Sequence, residues 1–150
     1  MKSVVITVAL LASACGCPSN STNVDTKRAW LAERDAACAA VQGCDSSFVA
    51  QVPVYEEALE DMRELCDDSN ARGCFCVGEH CTGVIMLADA DVQIPGCPAE
   101  QENCWYTQSD IVLHEYVHAA MRSAGHTYTG DHPPEFELAL QRARGLFRAP

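Results

Sequence analysis

The residues best equipped for chemistry are His114-Glu115-Tyr116-Val117-His118, set in an apolar run from Ile111 to Ala124 whose spacing predicts a helix. Two histidines at positions i and i+4 of a helix differ in direction by only about 40° and stand one turn apart, so both imidazoles can reach one ion. Glu115 then lies beside that ion. The H-E-x-x-H pattern suits a hydrolytic zinc site, with His114 and His118 as ligands and Glu115 as general base on the water that the metal activates. Such a site needs a third protein ligand.

Four of the five histidines fall between residues 114 and 132, so the candidates are close at hand. After a stop at Gly125, the polar stretch His126 to His132 lets a final helix double back. His132 at its start can then face the first helix, and it is the first choice. An imidazole at a helix N-terminus is also biased towards the neutral form that binds metal. His126 is the second choice, as an alternative ligand or as a donor to the reaction's oxyanion. Asp131 and Glu135 follow, either as ligands or as partners that fix an imidazole tautomer. Tyr106 and Tyr128 are further oxyanion donors to consider, whereas His80 sits in a predicted turn far along the chain and is assigned no role.

The elements that must position these groups read as α+β. An amphipathic helix is expected from Val24 to Gln42, burying Trp30, Leu31, Ala37, Cys38 and Val41, with Gly43 as its stop. Phe48 to Val54 contains Pro53 and reads as an edge strand or an extended lead. Tyr55 to Cys66 is rich in helix formers. Cys74 to Val77 and Gly83 to Ala88 read as strands around a turn at 78–80, and Asp89 to Asn103 as a loop clipped by Cys97 and Cys104. Ser109 or Asp110 can cap the helix that carries the histidines. Asp131 or His132 would sit near the cap of the last helix, Glu135 to Phe147, with Pro133 and Pro134 suited to its first turn.

With 150 residues and a formal net charge of −11, the chain is one acidic domain that should repel phosphate backbones, so nucleic acid is excluded as a partner. Residues 1–14 read as an export signal too short to span a bilayer. Ala12-Ser13-Ala14 suits cleavage for secretion, and Leu11 to Cys15 resembles a bacterial lipobox. The favoured expectation is a cell-envelope lipoprotein lipidated at Cys15, tethered by 15–23 to a domain spanning 24–150. The lipid would be its only link to a membrane. Ten cysteines in an exported chain mean disulfides. Without Cys15 and Cys17, eight remain for four bridges that sequence cannot pair.

His114-Glu115-x-x-His118, thirteen further residues, then His132-Pro133-Pro134-Glu135-Phe136 resembles the SprT-like zinc metallopeptidases, in which a third His opens a final helix in a His-Gly-Pro-x-Phe/Trp motif. The resemblance covers residues 109–140. It implies a minimal zincin-like fold, helices on a small sheet, with Zn2+ on the three histidines. It also implies that the strand Val84 to Ala88 is the sheet edge along which a peptide can add. Pro133 stands where that family has Gly. The metzincin pattern fails, because Met121 and Ala124 occupy its Gly and His positions.

These readings together predict an exported, disulfide-stabilised zinc metallopeptidase acting on peptides or proteins. Two other classes compete: a non-catalytic disulfide-rich envelope binding module, and a zinc amidase acting on cell-wall cross-links.

Overall fold

The computed structural model describes residues 22–23, 30–77, 82–127 and 132–149. The export signal, Cys15, most of the tether, His80, Tyr128 and Asp131 lie outside these residues. The architecture is α+β. In chain order the elements are β1 (Thr22–Asn23), α1 (Leu31–Ala40), α2 (Ser46–Val49), β2 (Val54–Glu57), α3 (Leu59–Leu65), β3 (Gly73–Val77), β4 (Thr82–Ala88), β5 (Val92–Gln93), β6 (Trp105–Tyr106), α4 (Gln108–Ser123) and α5 (Pro134–Phe147). The main sheet has the order β1-β2-β4-β3, with β2 parallel to β4 and β3 antiparallel to it; β5 and β6 form a separate ribbon.

Helix α4 is the centre of the packing. It touches β3 and β4 as well as α1, α2 and α5, which explains why Ile111, Val112, Leu113, Tyr116, Val117, Ala119, Ala120 and Met121 are all buried. A helix surrounded in this way is apolar almost all round, and its few polar side chains have to be accounted for individually. Its N-cap is Thr107, whose hydroxyl accepts from the Asp110 N–H and donates to the Asp110 carboxylate at 2.9 Å. The expected caps, Ser109 and Asp110, therefore fall inside the first turn. Gln108 ties the same helix start to the end of β4 by donating to the Ala88 carbonyl at 2.9 Å.

Other boundaries moved for physical reasons. In α1 the buried face is Glu33, Ala36, Ala37 and Ala40, whereas Leu31, expected inside, is 39% exposed. The small alanines let α1 approach α4 and α5, and the buried Glu33 accepts a 2.6 Å hydrogen bond from Ser109. Where a strand from Phe48 was expected, Asp45 accepts from the N–H groups of Ser47 and Phe48 and starts the one-turn helix α2. Pro53 stands just before β2 and costs no ladder bond; its carbonyl accepts from Ile85. Tyr55 to Glu57, read as helix, instead pair with Met86 to Ala88, a case of sheet pairing outweighing local helix propensity. Pro133, with no side-chain cap bond, takes the N-cap position of α5.

Three disulfides fasten the surface: Cys38–Cys44 across the end of α1, Cys66–Cys74 from the end of α3 to β3, and Cys97–Cys104 across the loop before β6. Cys76 is disulfide-bonded as well. No helix among the described residues is long and apolar enough to cross a membrane.

The strand beside α4 differs from the expected one. Val84 to Ala88 lies inside the sheet, between β2 and β3, and β3 is the terminal strand. The hydrogen bonds set its orientation. Ile85 N–H turns towards Pro53, and Ala88 N–H bonds the Arg72 carbonyl, so in the alternating antiparallel ladder the backbone groups of Gly73 and Phe75 face away from β4.

Candidate metal centre

His114, His118 and His132 offer ligand atoms that all lie within 4.8 Å of one another, and they could hold a metal ion. His114 and His118 come from one face of α4, as their spacing requires. His132 arrives from the segment just before α5, which returns across α4. Nε2 of His118 lies 3.2 Å from Nε2 of His114 and 3.2 Å from Nε2 of His132. Nitrogens placed tetrahedrally at about 2.0–2.1 Å from a common centre are about 3.3 Å apart, so this spacing is that of a ligand set. Glu137 stands 3.5 Å from the far nitrogen, Nδ1, of His132, where it favours the tautomer that leaves Nε2 free to coordinate.

Phe136 supports all three rings. Its centroid lies 4.2 Å from those of His118 and His132 in stacked geometry and 5.0 Å from that of His114, edge to face. Phe136 is fully buried. Its use as a platform for the imidazoles became visible only with α5 docked. Neither that role nor that of Glu137 was anticipated; both sit within one turn of His132, the only signal that could have drawn attention to them.

Burial dominates the electrostatics. It pushes His114 down to about 3, helped by His132, Arg144 and Arg72, and it pushes His118 down to about 3, helped by His114 and His132. Both imidazoles are thereby kept neutral, the form that coordinates a metal. Glu115 is 5% exposed. Burial pushes its carboxyl up to about 8, opposed by a hydrogen bond from the Phe75 backbone N–H. A metal charge next to it acts in the same sense as that N–H, favouring the carboxylate.

Gly73 lets β3 come this close. A Cβ there would meet Cγ2 of Ile111 at 2.7 Å, the Met86 carbonyl at 3.0 Å and Cγ of Glu115 at 3.4 Å. Gly73→Ala is expected to lower stability by about 1–3 kcal/mol in denaturant unfolding, since the backbone carbonyl cannot yield. It should also part the Phe75 N–H from Glu115.

The remaining candidates are scattered. His126 is exposed beyond the end of α4, its N–H bonded to the Met121 carbonyl, and it is outside the cluster. Glu135 is exposed and likewise outside. Tyr106 lines a cleft of about 290 Å³ that opens on His114, Glu115 and His132. The Arg72 guanidinium sits 4.0 Å above its ring. A set of three imidazoles, an adjacent buried carboxyl and an open cleft can bind an ion and move a proton next to it.

Comparison with protein families, curated proteins and solved structures returned no match.

Proposed function

We propose that this chain is an exported zinc metallopeptidase of minimal zincin type. The observation that carries the reading is the convergence of His114, His118 and His132, with His118 3.2 Å from each of the other two, and with Glu115 in the same cleft. Three imidazoles suit zinc, and three protein ligands leave a fourth position open, the pattern of catalytic and not structural sites. Bound there, zinc supplies Lewis-acid polarisation and activation of water at neutral pH. Glu115 would be the group that holds a proton on a carboxylate oxygen, accepting it from the attacking water and passing it to the leaving amine. The Phe75 N–H holds the carboxylate in register. The Tyr106 phenol, in the lining of the cleft, is a side-chain donor for the developing oxyanion.

The outward-facing backbone of Gly73, with the Phe75 carbonyl, is where an extended peptide would add to the sheet. The likeness to SprT-like peptidases extends only to the zinc chemistry, because an acidic chain does not suit a nucleic-acid-linked role. Disulfides support an oxidising, exported setting.

The test is metal content together with hydrolysis. Purified protein should carry one zinc per chain and cleave an unstructured peptide; chelation should stop cleavage, and added zinc should restore it. Protein that binds no zinc at neutral pH would overturn the reading and leave a disulfide-rich binding module. Zinc-dependent cleavage of cell-wall amides but not of peptides would move it to the amidase class.

A further inference from the structure

The chain has 10 Lys and Arg against 21 Asp and Glu, yet two arginines, Arg72 and Arg144, line the cleft that holds His114, Glu115 and His132. Neither has a carboxylate within ion-pair distance among the described residues, where the pairs are Arg34–Asp35, His132–Glu137 and Arg148–Asp110. Both are only half-buried.

Of the three acidic residues in the same lining, Glu115 is held by the Phe75 N–H and the other two have partners of their own. Asp110 accepts from the Thr107 hydroxyl in the first turn of α4 and faces Arg148 at 3.6 Å. Asp68 accepts from the Asn70 N–H at 2.8 Å within its own turn. Neither arginine is therefore ion-paired within the cleft, so both guanidinium groups are left to pair with a group from outside, next to a cluster that could hold a further cation.

Arg72 is also held in place. The loop that carries it is tied at both ends by Cys66–Cys74. The Arg63 Nε donates to the Ala71 carbonyl at 3.2 Å, the Arg72 carbonyl accepts from Ala88, and the guanidinium rests on Tyr106. An arginine stacked in this way keeps its planar fork of donors free for an anion and loses little freedom on binding one. Arg144 projects from α5, the helix whose start delivers His132. It reaches the same cleft from another element and lines it together with Arg72, His114 and His132.

We infer that Arg72 and Arg144 form a carboxylate-binding subsite beside the metal centre, so that this peptidase selects substrates bearing a negative charge next to the bond it cleaves. The inference rests on the metallopeptidase reading. The carboxylate comes either from an acidic side chain or from the substrate's own C-terminus, and the two sources bind the same guanidinium forks in the same way.

Zinc-loaded Glu115→Gln protein, which retains the ligands, is titrated by calorimetry with three matched peptides: one with an internal Glu and an amidated end, one neutral with a free C-terminal carboxylate, and one neutral and amidated. At least one carboxylate peptide should bind roughly tenfold tighter than the neutral amidated peptide. Which one does so identifies the source.

Arg144→Gln and Arg72→Gln should each shrink that ratio towards one with zinc content unchanged, while Arg144→Lys keeps part of it. Equal affinity for all three peptides, or no binding of any, overturns the subsite. So does a ratio unaffected by either Gln variant. Wild-type protein that cleaves all three peptides at equal rates would uphold the peptidase reading and overturn this inference alone; a carboxylate preference without cleavage of any peptide would do the reverse.

Discussion

Replacing His132 with Ala should strip the protein of its metal. His114 and His118 remain on α4, but two imidazoles leave a zinc ion with half of its coordination sphere filled by water. Loss of an outer hydrogen-bond partner at such a site typically costs about 10–100-fold in metal affinity, and loss of a ligand must cost more. A competitive titration against a chromophoric chelator reads this directly, with hydrolysis falling in parallel. The fold should tolerate the change, because His132 lies outside the helix proper and its side chain is exposed.

The matched control is His126→Ala. His126 is exposed and outside the cluster, so its loss should change zinc affinity little. If His132→Ala kept full affinity and His126→Ala lost it, the ligand set would be wrong.

The second large effect separates chemistry from binding. Glu115→Gln preserves volume and an oxygen that can still accept from the Phe75 N–H, so neither packing nor the three imidazoles should move. The amide cannot take a proton. Turnover is expected to fall by about 10²–10⁴-fold, the range for removing a general acid–base group, while zinc stoichiometry stays at one. Because the buried carboxyl is held up to about 8 in the metal-free fold, the neutral amide should not destabilise that fold. Undiminished turnover in this variant would remove Glu115 from the mechanism even if zinc is bound.

The two substitutions fail independently. A protein that loses zinc with His132 but keeps turnover without Glu115 is a zinc hydrolase with another base. A protein that keeps zinc in both variants has its metal elsewhere.

How much of this was legible in the sequence depended on the distance over which each relation acts. That His114 and His118 share a face with Glu115 beside them follows from helix geometry alone, because 3.6 residues per turn is a property of the backbone. The turn chemistry was local too: Gly125, at φ +87°, ends α4, and Pro134 opens α5. The need for disulfides followed from composition, and the Cys97–Cys104 clip from proximity along the chain.

Other relations were set by which element found which neighbour. Tyr55 to Glu57 have helix-forming neighbours and became strand because β4 was there to pair with. Val84 to Ala88, the best strand in the sequence, went to the sheet interior for the reason that made it the best strand: its side chains are apolar on both faces and nearly all buried. The half-exposed β3 was left as the edge, next to α4.

Sequence by itself thus determined the pair of histidines, their glutamate and the turn that sends the chain back towards them. Only the tertiary structure decided that His132 closes the triad, that Phe136 lies under it, that Gly73 brings the strand against Glu115, and that Arg72 and Arg144 share its cleft. The physical reason is that backbone geometry orders neighbours within a few residues, whereas contacts between distant segments are selected by packing of the whole core, which no local pattern encodes.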